Sequence, residues 1–237
     1  MLKEALEYLV SLKSNKTYEF HGDTYSDRDL HRIEKYIPRP KMVEVAGLDS
    51  IVKMIRAESD KIANPVYILA ESSVEVRTFS ALDGDMKRDG FIRATADVPG
   101  FINGFMDYQE AIIQLRSKFI VNDDVNYLLD LLSRINIENG VTTNDNGVTQ
   151  TVEARTGVSL KSMLNVRPRV KLAPYRTFLE VEQPESEFIL RLDDKARIGL
   201  FEADGGMWKL TAKKRICEYF ENQFADEIKN GKVVVMM

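Results

Sequence analysis

The sequence predicts an α+β fold: mixed helices, a largely antiparallel β-meander in the C-terminal half, and a terminal helix. Three observations carry that expectation. Strand-like runs bunch together instead of alternating regularly with helices, which argues against a parallel α/β sheet. Beyond Gly140, strand-length apolar and β-branched runs are separated by short turn signals at regular spacing, the pattern of a meander. Ile216, Tyr219, Phe220, Phe224 and Ile228 then recur at helical spacing close to the end of the chain.

In chain order, Leu2, Ala5, Leu6, Leu9 and Val10 form an apolar stripe, so a first helix is expected over 2–12. A strand-like Thr17–Phe20 and a polar stretch at 21–35 follow. Pro38 and Pro40 forbid a helix and disfavour a central strand, so 36–41 reads as a linker. Residues 1–40 are therefore an N-terminal appendage with its linker, and 41–237 an α+β body. The body opens with a strand at 42–46 and a helix at 49–59, buried through Ile51, Val52 and Ile55 and stopped at Asn64-Pro65. Strands are expected at 66–69, 74–79 and 91–98, with turns at Asp83-Gly84-Asp85 and Asp89-Gly90 between the last two. Phe105, Ile112, Ile113, Leu115 and Phe119 line one helix. Val125, Leu128, Leu129, Leu132 and Ile135 line the next, with Asn122 or Asp123 as its cap. An Asn146-Gly147 turn joins a hairpin over 141–152. Strands at 168–173, 177–182, 186–192 and 197–203 complete the meander. Asp204-Gly205-Gly206 turns the chain into a strand at 207–210, and the last helix spans 211–229.

Composition narrows the function classes. The chain has 237 residues, 44% hydrophobic and 30% charged, with a net charge of −4, so it is not a polycation built for nucleic acid. Its single cysteine, Cys217, cannot form an internal disulfide. The sequence has no run of about 18 apolar residues, and Met1–Ala5 does not begin a readable signal peptide. A cytoplasmic location without membrane contact is expected.

Catalytic chemistry finds little support. The two histidines, His21 and His31, lie in the polar appendage, and Cys217 falls on the apolar side of the last helix. Asp23, Asp27 and Asp29 lie between the histidines without a metal-ligand spacing, so a solvated polar loop is preferred. No glycine-rich turn leads into Lys-Ser or Lys-Thr, which excludes a phosphate loop. Asn144–Gly147 has its glycine at the fourth position instead of the sixth, which favours a hairpin over a calcium loop. The acid pairs Asp83/Asp85, Asp123/Asp124 and Asp193/Asp194 sit where turns and helix starts want short acids anyway. No catalytic residue, metal ligand or cofactor is assigned, and an enzyme is disfavoured.

One stretch stands out. No acid occurs between Glu153 and Glu180, while Arg155, Lys161, Arg167, Arg169, Lys171 and Arg176 all fall inside. Arg167, Arg169 and Lys171 alternate with Pro168, Val170 and Leu172, so in an extended strand they share one face. Arg155, Arg167, Arg169, Lys171, Tyr175 and Arg176 are the candidate anion-binding residues, the tyrosine available to stack on a base. The other reading is an edge strand guarded by charge, which suits Pro168. Arg155, Tyr175, Arg176 and Gln183 could alternatively tie the meander together as a polar network.

Several stretches resemble the YfdQ-like proteins, a family of phage and prophage proteins of unknown function. They are Ser80–Gly84, Tyr108–Leu115, Asp145–Gln150, Leu172–Ser186 and Leu200–Trp208, and the likeness spans about residues 66–220. The resemblance implies a phage accessory gene expressed inside the infected or lysogenic bacterial cell, and supplies no catalytic residues. The resulting expectation is a non-catalytic factor that binds nucleic acid or a nucleotide in phage DNA metabolism or counter-defence. Its alternative is a self-assembling or protein-binding factor whose basic face meets a host or phage protein. The apolar Lys232–Met237 carries one charge, so it is expected to pair within the domain or across subunits, and a homo-oligomer is expected.

Overall fold

The computed structural model describes residues 2–11, 16–20, 23–26, 39–84, 86–136, 141–145, 150–156, 160–193, 195 and 197–237. The chain divides into two compact units, Met1–Arg39 and Pro40–Met237. In the first unit, α1 (Leu2–Ser11) precedes an antiparallel hairpin of β1 (Thr17–Phe20) and β2 (Asp23–Ser26). The polar stretch expected as a loop therefore contains a strand. Leu2, Leu6, Leu9 and Val10 are all exposed, because a helix and a two-stranded ribbon bury little surface. His21, His31 and the prolines' linker up to residue 38 lie outside the described residues.

The second unit runs β3 (Val43–Val45), α2 (Leu48–Ala57), β4 (Val66–Ala70), β5 (Glu75–Phe79), β6 (Gly90–Thr95), β7 (Gly104–Met106), α3 (Tyr108–Ser117) and α4 (Asp123–Asn136). It continues with β8 (Val141–Asp145), β9 (Gln150–Thr156), β10 (Leu160–Val166), β11 (Arg169–Leu172), β12 (Ser186–Leu192) and β13 (Ile198–Glu202). It closes with α5 (Met207–Gln223), α6 (Ala225–Lys229) and β14 (Val233–Met236). The class is α+β, with antiparallel strands dominating the C-terminal half and helices near the end. No helix among the described residues is long and apolar enough to cross a membrane.

Three sheets organise this unit. The first has the order β14-β4-β5-β6-β3, with parallel pairs at both edges and antiparallel pairs inside. Leu48 and Ile51 of α2 and Ile216 and Phe220 of α5 join Ile68 and Val76 in its core, all fully buried. The second is fully antiparallel, β11-β12-β13-β7, and buries Phe188, Leu190 and Leu200 against Leu115 of α3 and Leu128 and Leu132 of α4. The third, β10-β9-β8, contains the expected hairpin, whose turn at 146–149 lies outside the described residues. Its outer strand β10 has no counterpart in the sequence reading.

Side-chain caps set the helix starts. Asp107 Oδ1 accepts from the Glu110 N–H at 2.8 Å, and Asn122 Oδ1 accepts from the Val125 N–H at 2.9 Å. Each takes up a donor that has no partner in the first helical turn. Asn122, of the two candidates, is thus the cap of α4.

Three expectations change, and one open alternative is settled. Residues 177–182 form no strand: the Gln183 amide takes up their backbone groups, and Phe178 and Val181 turn into the first core. Residues 207–210 are helical, because Asp204 Oδ2 accepts from the Trp208 N–H at 3.1 Å and starts α5 early. Gly205 and Gly206, at φ 63° and 83°, make the turn before it as the sequence suggested. Phe105 belongs to β7 instead of the helix that follows, and Ile113 of α3 is exposed. The C-terminal strand β14 finds its partner in β4, within the chain.

Candidate functional site

The β11-β12-β13-β7 sheet has one face in the core and one turned outward, and period-2 alternation sorts its residues between them. Val170 and Leu172 of β11, buried, point inward; Arg169 and Lys171 are exposed on the other side. Along β12, Phe188 and Leu190 are buried, whereas Glu187, Ile189 and Arg191 are half-buried. Register then places side chains in rows across the outward face. Arg169 lies opposite Ile189, which lies opposite Phe201. Lys171 lies opposite Glu187, and Arg191 opposite Gly199, which faces Phe105 of β7.

The outward face therefore carries cations around two phenylalanines. The rings of Phe105 and Phe201 meet edge to face, 5.3 Å between centroids. The Arg197 guanidinium carbon lies 5.6 Å from the Phe105 centroid. Arg169 Nη1 pairs with Glu187 Oε2 at 2.7 Å, and Arg197 Nη2 with Asp193 Oδ2 at 2.6 Å. Among the described residues no acid lies within ion-pair distance of the Lys171 ammonium. The Arg169–Glu187 pair is well exposed, where such pairs contribute about 0–1 kcal/mol, so an incoming phosphate can compete for that guanidinium fork.

The six candidate residues do not converge on one surface. Arg169 and Lys171 share the outward face. Arg167 leaves it: its guanidinium lies 4.3 Å over the Tyr127 ring and pairs with Asp124 Oδ1 at 3.1 Å, against α4. Arg155 stands in β9, the centre of the third sheet, opposite Lys161. Tyr175 sits in the loop beyond β11, its N–H donating to the Lys118 carbonyl.

Arg176 is buried, with 4% of its surface exposed. Its Nη1 donates to Glu202 Oε1 at 2.7 Å, and its Nη2 to Ser186 Oγ at 2.7 Å and the Pro184 carbonyl at 3.0 Å. The guanidinium carbon stacks 4.0 Å from the Trp208 ring centroid. Burial pulls the Arg176 pKa down to about 10, partly offset by Glu202 and Asp204, so the cation persists at neutral pH. Beside it, Gln183 Oε1 accepts from the N–H groups of Arg176 and Thr177, at 2.9 and 3.1 Å. These side chains tie the meander together from within, the scaffold alternative of the sequence reading.

Comparison with family models, curated proteins and solved structures finds no match to this chain. Among the described residues no group of three or more His, Cys, Asp or Glu is placed to hold a metal ion. The Cys217 thiol is half-buried, and burial followed by the nearby Glu221 pushes its pKa up, which disfavours the thiolate. What the outward sheet face can do is bind an extended polyanion: cations at intervals, with apolar rings between them. Phe105 and Phe201 were missed in the sequence. Phe201 has a detectable signal, since it takes the outward parity set by the buried Ile198 and Leu200.

Proposed function

We propose that the chain is a non-catalytic nucleic-acid-binding protein, acting through the outward face of the β11-β12-β13-β7 sheet. The observation that carries this is the placement of Arg169, Lys171, Arg191 and Arg197 on or beside one face with two aromatic rings. Cations hold the phosphates by charge, whatever the base sequence. The resemblance of residues 66–220 to the YfdQ-like proteins implies a phage accessory protein inside the infected cell, and phage DNA metabolism or counter-defence is the setting we propose for such binding. With an overall charge of −4 the molecule as a whole does not attract a polyanion, so binding depends on a local cationic face.

The test is oligonucleotide binding followed as a function of salt, for the parent and for Arg169→Gln combined with Lys171→Gln. Each lost phosphate contact lowers the slope of log affinity against log salt by about 0.7 for a single strand. The double variant should bind more weakly with a slope shallower by about 1.4, while its unfolding midpoint hardly moves. An unchanged slope and affinity would leave the two cations as guards of an edge strand and nothing more.

A further inference from the structure

We infer that the outward sheet face selects single-stranded nucleic acid, with Phe105 and Phe201 as the side chains on which unpaired bases stack. This rests on the nucleic-acid reading above and adds the state of the strand. Phe105 is 41% exposed although it lies in a row across the sheet, so a large apolar ring is held out in water. The two rings close over Gly199. A Cβ at that position would lie 2.7 Å from Phe201 Cε2 and 2.8 Å from Phe105 Cε1, closer than real contacts permit. Glycine here lets the two rings meet edge to face on the outward side of the sheet, where a Cβ would push them apart.

The surroundings suit a nucleotide chain. Arg197 stands against Phe105, and Arg169 lies two strand spacings, about 10 Å, from Phe201. Phosphates held by these cations leave the intervening bases over the rings. A duplex keeps its base faces stacked on one another, so only unpaired bases can use an aromatic surface of this kind. An acidic protein surface would engage the same cations with no demand for exposed base faces.

The test measures fluorescence anisotropy of labelled oligothymidylate, its duplex with oligoadenylate, and oligouridylate, with the parent protein, Phe105→Leu and Phe201→Leu. The parent should bind both single strands at least about tenfold more tightly than the duplex, and each leucine variant should lose about tenfold for single strands with its salt slope unchanged. Phe105→Trp keeps the ring and reports directly: its fluorescence should be quenched by oligothymidylate, with binding no weaker than the parent's. This variant decides the matter if a leucine variant fails to fold. Equal affinity for single strand and duplex, leucine variants that bind like the parent, or an unquenched indole would each overturn the stacking inference while leaving nucleic-acid binding intact. A parent that binds no nucleic acid at all, or only acidic protein, would overturn both.

Discussion

Arg176 is a buried cation held by partners on three sides. Its position after Tyr175, in a stretch free of acids, suggested an anion site, yet the counter-charges come from Glu202 and Asp204, distant in sequence and invisible to a local reading. The guanidinium fork satisfies three acceptors at once and lies against Trp208, a task no other side chain performs with the same geometry. Arg176→Ala should therefore cost about 3–5 kcal/mol of stability, because Glu202 is left without its buried partner. Arg176→Lys should recover only part of that. Urea unfolding of the two variants checks it, and a loss under about 1 kcal/mol for alanine would show that the network is dispensable. Gln183 belongs to the same account: a buried amide with five backbone partners replaces the ladder that a strand would have made.

At the level of elements, the legible parts are those whose own residues specify them. The alternation of β11 and β12, the stripe of α2 and the start of α4 at Asn122 all follow from local pattern and capping. The misread parts turn on single polar side chains a few residues along the chain. Segment 177–182 is β-rich in composition but satisfied by Gln183, and 207–210 turns helical where the Asp204 carboxylate accepts from the Trp208 N–H of the first turn. The edge of β11 has a distant partner instead. Its Lys171 N–H donates to Asp124 Oδ2 at 2.7 Å, and the Lys171 carbonyl accepts from Asn122 Nδ2 at 3.0 Å, so the first turn of α4 closes an edge that another strand would otherwise pair. Asp124→Ala removes that acceptor and the partner of Arg167 together. It should cost about 1–3 kcal/mol and raise the tendency to aggregate, read by thermal unfolding and light scattering. A variant as stable and as soluble as the parent would mean that water serves the edge equally well.

For the whole molecule, the α+β class and the alternation of the cationic strand were legible in the sequence. Which cations share a face was not legible there. Register decides that, and register joins β7, β12 and β13 across nearly one hundred positions of chain. The resulting surface, two aromatic rings over a glycine with arginine and lysine around them, is the centre of the functional account. Photo-cross-linking of the parent protein to an oligonucleotide carrying 4-thiothymidine, with the adducts mapped by mass spectrometry, tests it most directly. The account predicts adducts on the peptides that contain Phe105 and Phe201; adducts confined to other surfaces, or none under conditions of saturating oligonucleotide, would contradict it.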